Sequence, residues 1–128
     1  MNRIIMMLLL AAISSKAMAE WVRIEENENM TAYVNPSTIR KNGDTVGMRT
    51  LFDYKTVQTM NGVFYSSLEG QDEYDCKQNQ RRTSYFSMHT ANMGGGKIVS
   101  TKHPQPNWKP VRPHTFDEYF WIYACSKK

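Results

Sequence analysis

Two cysteines, Cys76 and Cys125, constrain the fold of this 128-residue chain more than any other feature of its sequence. In a small exported domain, two cysteines are expected to form a disulfide bond. Because they stand 49 residues apart, the bond would close a long loop, which the chain-entropy model values at about 4 kcal/mol. The alternative is a pair of free thiols, one of them redox-active, although the chain has no C-x-x-C motif.

The segment Met1–Ala19 has the pattern of a secretory signal peptide. Arg3 belongs to a short positive head, residues 4–13 are an unbroken apolar run, and Ala17–Ala19 has the small-x-small pattern that signal peptidase recognises. A bilayer span needs about 20 apolar residues, so this run is too short for a membrane anchor. We expect cleavage before Glu20 and export to the periplasm or the cell surface. Since no cysteine follows the cleavage point, we expect no attachment through a lipid-modified cysteine.

The size and charge of the mature chain limit its function. Removing 19 of the 128 residues leaves 109, enough for a single domain, residues 20–128, with a modest core. Cleavage also removes two of the 16 basic residues, which leaves 14 against 12 acidic ones and a formal net charge of +2. With both signs interspersed, we expect no concentrated basic patch and no nucleic-acid partner. The mature chain has no second apolar run of membrane-spanning length.

Alternation of apolar and polar residues with a period of two predicts β-strands over most of the mature chain. It is clearest between residues 45 and 55, where one face carries Val46, Met48, Phe52 and Tyr54. The apolar face of the longest strand is assigned to Phe64, Leu68, Tyr74 and Cys76. A mostly antiparallel meander is the most economical arrangement. The six predicted strands are Trp21–Glu25, Met30–Val34, Thr45–Lys55, Val63–Cys76, Arg82–Thr90 and Lys97–Thr101.

Turn-forming residues separate these strands. Asn42–Asp44 and Asn61–Gly62 are hairpin signals, and Gly94–Gly96 predicts a tight, flexible turn. The segment Asn35–Thr38 predicts a turn or a single helical turn, since asparagine caps such a turn and proline suits its first position. The proline-rich segment His103–Pro113 is predicted to have no regular structure.

After the prolines the apolar pattern changes to a helical period. One helix face is formed by Phe116, Tyr119, Phe120, Tyr123 and Ala124. Thr115 and Glu118 form a capping box before the helix. Trp121 and Cys125 lie on another face, which must contact the disulfide, the proline-rich segment or a second subunit.

These patterns together predict an α+β fold. It consists of an antiparallel sheet of about six strands, open on one face, with a C-terminal helix on the other face. The disulfide between Cys76 and Cys125 would tether this helix to the sheet.

The sequence contains no motif of a catalytic, cofactor or metal site. His89, His103 and His114 match no metal-ligand spacing. Gly94–Gly96 lies between strands, whereas a phosphate-binding loop leads from a strand into a helix. We therefore expect that the protein is not an enzyme.

The acidic cluster of Asp72, Glu73 and Asp75 has two interpretations. Neighbouring carboxylates suit general acid–base catalysis. On a strand, however, Glu73 and Asp75 share the solvent face, whereas Asp72 lies on the opposite face. A solvated strand, with pairing to Arg81 or Arg82, is the interpretation we favour.

Aromatic side chains on the exposed strand face, such as Tyr65 and Tyr85, are candidates for a binding surface or a dimer seam. Isolated exposed aromatic residues are also common and carry no function by themselves.

A series of short segments, in order along nearly the whole mature chain, carries a family resemblance. These are Glu20–Val22, Ala32–Arg40, Asp53–Lys55, Ser67–Leu68, Glu73–Cys76, Arg81–Thr83, Met93–Gly96, Trp108–Pro113 and Ala124–Cys125. They resemble the bacterial surface-adhesin protein E family. The resemblance implies a six-stranded antiparallel sheet with a disulfide-tethered C-terminal helix, commonly as a homodimer.

The resemblance also implies a function. Members of this family are non-enzymatic surface proteins that bind host extracellular-matrix or serum proteins. The alternative is a periplasmic protein with a structural or stress-related role. No motif supports the third hypothesis, an enzyme.

Overall fold

A computed structural model describes residues 20–126, which form one antiparallel sheet with a helix packed against it. The predicted signal peptide lies outside the described residues. The elements are β1 (Val22–Glu26), β2 (Met30–Asn42), β3 (Thr45–Met60), β4 (Val63–Asp75), β5 (Gln80–His89), β6 (Ile98–Lys102), β7 (Lys109–Pro110) and α1 (Phe116–Ser126), with a 3-10 turn at Asn92–Gly94.

The strands pair in chain order from β1 to β6, and β7 pairs with β5. Every pairing is antiparallel. The predicted fold class is therefore confirmed. At the β3–β4 turn, Asn61 and Gly62 have φ values of 51° and 78°, which glycine and asparagine tolerate better than other residues.

The prediction that a strand ends before Asn35 is wrong. β2 runs on to Asn42, and the turn residues form an irregularity inside it, where the pairing passes from Asn35–Arg49 to Arg40–Gly47. The Asn35 side-chain oxygen accepts a hydrogen bond from the Ser37 backbone N–H at 3.1 Å. The Thr38 hydroxyl accepts one from the Arg49 N–H at 2.9 Å, so the local turn stays attached to β3.

The inner face of the sheet, which faces α1, carries the core. Its buried side chains include Ala32, Val34, Val46, Met48 and Tyr74, and α1 contributes Phe120 and Ala124. Phe52 makes edge-to-face contacts with Phe116 and Phe120, each with ring centroids 5.6 Å apart. Such aromatic pairs add about 0.5–1.5 kcal/mol beyond the burial of their area.

Phe64 was assigned to the apolar face, and this prediction is wrong. Its side chain is 64% exposed. The pairing of β3 and β4 shifts between Asp53 and Gln58, so the end of the hairpin is out of register with the part that forms the core. Phe64 pairs with Thr59 near the turn, away from the core residues.

Helix α1 begins with the predicted cap. The Glu118 N–H donates to the Thr115 hydroxyl at 3.3 Å, and the Glu118 carboxylate accepts from the His114 N–H at 3.2 Å. Phe120 and Ala124 are buried, whereas Tyr119 lies at the margin of the predicted face and is exposed.

The second helix face, which carries Trp121 and Cys125, contacts the end of β4 and forms the disulfide. Contact with the disulfide was one of the three predicted alternatives for this face. The Trp121 indole N–H donates to the Asp75 carbonyl at 3.0 Å. Cys76 and Cys125 form the disulfide, with Cα atoms 5.5 Å apart. The last turns of α1 are thus bound to β4 by a hydrogen bond and by a covalent bond.

The proline-rich segment is not wholly irregular, contrary to the prediction. Lys109 and Pro110 pair with Arg81 and Gln80 of β5 as the short strand β7. The Val111 N–H donates to the Asn79 carbonyl at 2.9 Å. Pro110 can take part because a strand that pairs on one side only does not need every N–H.

Candidate binding surface

The outer face of the sheet, opposite α1, carries polar side chains from three neighbouring strands. In β3, Arg49 lies between the buried residues Met48 and Thr50, and so points outward. By the same alternation, Glu69 of β4 points outward beside it. Outward positions of β5 include Tyr85 and His89. The register of the three strands places these side chains close together.

Arg49 connects all three of these strands. Its guanidinium donates to the Glu69 carboxylate at 3.2 Å and to the Tyr85 hydroxyl at 2.9 Å. Arg49 remains partly exposed, with 44% of its side chain accessible, whereas Glu69 is more covered at 22%. Because Arg49 is held at two points, its charge is presented in a fixed position.

His89 is the least exposed member of this group. Its side chain is 7% exposed, and Nε2 lies 3.6 Å from the Glu69 carboxylate, beyond hydrogen-bond distance. Within residues 20–126, this nitrogen has no hydrogen-bond partner. A buried polar atom without a hydrogen-bond partner costs about 1–3 kcal/mol, and Nε2 is buried too deeply to contact a ligand directly.

A groove of about 180 Å³ lies over these side chains, and Ile98 of β6 forms part of its wall. Ile98 is exposed, although it is large and apolar. We call Arg49, Glu69, Tyr85, His89 and Ile98 the outer-face site. A fixed charge, a phenol and an exposed apolar side chain can together bind a polar surface with an apolar projection.

The turn between β5 and β6 closes one end of this surface. The Asp53 carboxylate accepts hydrogen bonds from the Asn92 side chain at 2.9 Å and from the Met93 N–H at 2.8 Å. The Ser67 hydroxyl donates to the Ala91 carbonyl at 2.7 Å. The predicted glycine turn is therefore a hairpin connection, and it also covers part of the outer face.

The two aromatic residues proposed for the exposed face have different positions. Tyr85 belongs to the outer-face site and also approaches the ring of His103, with centroids 6.1 Å apart. Tyr65 is buried, so its assignment to an exposed surface is wrong. Tyr65 packs edge-to-face against Tyr54, with ring centroids 5.6 Å apart. Burial of Tyr54, and to a lesser extent the neighbouring Tyr65, raises the pKa of Tyr54 to about 12.

The acidic cluster is divided by the alternation of β4. Glu73 pairs with Arg82 at 3.1 Å, and Asp75 accepts from the Lys77 and Gln78 N–H groups, in keeping with a solvated strand. Asp72 lies on the opposite face of the strand, as the alternation predicts, and its side chain is buried there rather than solvated. Burial raises the pKa of Asp72, and hydrogen bonds from Thr83 and Thr50 oppose that shift.

The three histidines lie in different parts of the structure. His89 lies in the outer-face site, His103 lies beside Tyr85, and His114 precedes α1. In the part of the chain that the structure describes, no three His, Cys, Asp or Glu side chains are grouped as a metal site would require. Within the same residues, no helix is long and apolar enough to cross a membrane.

The fold and the outer-face site define the class of protein. It is a small α+β domain with one face of its sheet packed on a helix and the other face carrying a polar groove. The profile of the family described as Surface-adhesin protein E matches residues 21–126. The chain belongs to this family. No curated protein matches the chain significantly.

Solved structures of the same fold come from Haemophilus influenzae. Crystal form II of protein E aligns with a TM-score of 0.69 and 12% identity, covering 85% of this chain and 89% of that chain. A selenomethionine form of protein E has a TM-score of 0.62 and 12% identity, with 85% and 88% covered. Protein E from the non-typeable organism has a TM-score of 0.59 and 12% identity, with 85% and 74% covered. At this identity the likeness establishes the fold alone.

Proposed function

We propose that the protein is an exported, non-enzymatic binding protein of the adhesin type, which attaches to host extracellular-matrix or serum proteins through the outer-face site. Family membership supports the class of function. The observation that carries the choice of surface is the arrangement of Arg49, Glu69, Tyr85 and His89 around a groove, with Arg49 held by both Glu69 and Tyr85.

The chemistry of this site suits a protein partner. Arginine and tyrosine are over-represented among the residues that contribute most to protein–protein binding, since each offers both apolar area and hydrogen bonds. Arg49 and Tyr85 are already held together, so little conformational freedom is lost when a partner binds. Ile98 supplies an exposed apolar contact at the edge of the groove.

Binding to immobilised laminin and fibronectin, with serum albumin as a background control, tests the proposal. The variant Arg49→Ala/Tyr85→Ala should bind the recognised protein at least about tenfold more weakly, which corresponds to about 1.4 kcal/mol. Lys41→Ala is the matched control, because Lys41 is an exposed cation at the end of β2, outside the outer-face site. Equal binding by both variants and the wild type would exclude this face as the binding surface.

The location of the protein is a separate part of the proposal. The signal-peptide pattern of residues 1–19 and the disulfide support export. Protease treatment of intact cells, followed by detection of the mature chain, distinguishes two outcomes. Loss of the protein from intact cells supports exposure at the surface, whereas survival until the outer membrane is permeabilised supports the periplasmic alternative. Light scattering of the purified chain tests the predicted homodimer.

A further inference from the structure

The charged residues of this chain are segregated, contrary to the expectation that they are interspersed. From residue 20 to residue 76, ten acidic residues stand against five basic ones. From residue 77 to residue 116, no acidic residue occurs. The seven basic residues in this second stretch are Lys77, Arg81, Arg82, Lys97, Lys102, Lys109 and Arg112. The small net charge is therefore the sum of an acidic stretch, residues 20–76, and a basic stretch, residues 77–116.

The topology brings the basic stretch to one side of the molecule. This stretch contains β5, β6, β7 and the proline-rich segment, which together form the last edge of the sheet. Two adjoining depressions of about 200 and 320 Å³ lie along this edge and share Arg81 and Lys109 as lining residues. We call them the basic groove, defined by Arg81, Arg82, Lys109 and Arg112.

The four cations of the basic groove differ in their partners. Arg81 pairs with Asp117 at 2.8 Å, and Arg82 pairs with Glu73 at 3.1 Å. Lys109 and Arg112 are exposed, and neither makes an ion pair within residues 20–126. Their charges can therefore be neutralised by an anionic partner without first breaking a bridge.

The other lining residues indicate which kind of polyanion fits. Trp108 stands between the lining residues Asn107 and Lys109 but is not itself one of them, and the Arg82 guanidinium covers one face of its ring at 4.3 Å, so that face is not free to stack on a nucleic-acid base. The one large apolar side chain among the lining residues, Phe86, is half-buried rather than projecting as a lipid anchor would. Gln105 and Asn107 supply amide groups suited to hydroxyl groups.

We propose that the basic groove binds a sulfated polysaccharide chain of the glycosaminoglycan type. The sulfate groups pair with Lys109, Arg112 and the two bridged arginines, and the sugar hydroxyls contact the amide side chains of the proline-rich segment. The inference goes beyond the proposed function, since the two sites share no residue. Either can therefore fail without the other.

Calorimetric titration of the full mature chain with a size-defined heparin oligosaccharide, at several salt concentrations, tests this inference. Lys109→Gln/Arg112→Gln should weaken binding at least tenfold. It should also lower the slope of log affinity against log salt by about two, one for each lost ion pair. Arg40→Gln/Lys41→Gln is the matched control, because it removes the same charge from exposed positions on β2. The control should bind as the wild type does.

Three results would overturn the assignment. An equal loss of affinity in both double variants would mean that overall charge, rather than this groove, governs binding. Equal binding of fully desulfated heparin would remove the role of sulfate. Tighter binding of phosphatidylglycerol vesicles or of single-stranded DNA than of heparin would assign the groove to another class of partner. Because all four substituted residues are exposed, unchanged melting midpoints are expected and serve as the folding control.

Discussion

At the scale of single residues, Asp72 is the most unusual side chain of the inner face. It is buried beside the core, with Thr50 and Thr83 hydroxyls each 2.7 Å from its carboxyl oxygens and the Tyr74 hydroxyl at 3.4 Å. The ion pair between Arg81 and Asp117 places a cation and a second anion in its surroundings. Burial raises the pKa of Asp72, so the neutral form is favoured in the folded chain more than in the unfolded chain.

This carboxyl group predicts a particular dependence of stability on pH. At low pH both states hold the proton, and the ionisation of Asp72 contributes nothing to the free energy of unfolding. As the pH rises, the unfolded chain loses its proton first, so the stability of the folded chain falls until the pH passes the raised folded-state pKa. Asp72→Asn should therefore be more stable than the wild type at pH 7, with the difference vanishing near pH 3. Urea unfolding across this range measures it, and a difference independent of pH would contradict the prediction.

At the scale of elements, the turn between β5 and β6 depends on Gly96. Its φ is +69°, and an added Cβ would lie 2.2 Å from the Thr90 hydroxyl oxygen, which accepts a hydrogen bond from the Lys97 N–H. Gly43 has a similar φ of +64° but no atom within 4 Å of an added Cβ. Gly43→Ala should lower the free energy of unfolding by about 1–2 kcal/mol, the cost of holding alanine at a positive φ. Gly96→Ala should lower it distinctly more, because its Cβ also clashes with the Thr90 hydroxyl. Equal changes in the free energy of unfolding would show that the turn does not constrain this position.

At this scale, the sequence predicted the strands and the helix but not the outer-face site. Alternation located the strands, and the change of period located α1, because each follows from local side-chain spacing. The outer-face site was missed as a group: Tyr85 was assigned to the exposed face and His89 was considered for a metal site, whereas Arg49, Glu69 and Ile98 were not singled out. Their proximity depends on strand register, and the irregularities after Asp53 and after Gln71 change that register without a local signal. For the same reason, Phe64 and Tyr65 were assigned to the wrong environments.

At the scale of the whole molecule, the disulfide joins α1 to the end of β4, one of the central strands of the sheet. Removing it as Cys76→Ser/Cys125→Ser should lower the free energy of unfolding by about 4 kcal/mol, because the unfolded chain regains the freedom of a 49-residue loop. Thermal or urea unfolding measures the change, and the wild type under a reducing agent should behave like the variant. An unchanged midpoint in both cases would contradict the role of the tether.

The disulfide also has a consequence for how the protein survives cutting. The exposed proline-rich stretch from His103 to Asn107 lies between Cys76 and Cys125, and exposed irregular segments are the usual sites of proteolytic nicking. After a single cut there, the sulfur–sulfur bond still links the two fragments. A nicked molecule would migrate as an intact one on a gel without reducing agent and would separate into two pieces only on reduction. The chain could therefore be cleaved once in its proline-rich segment and still keep both fragments in one covalently linked molecule.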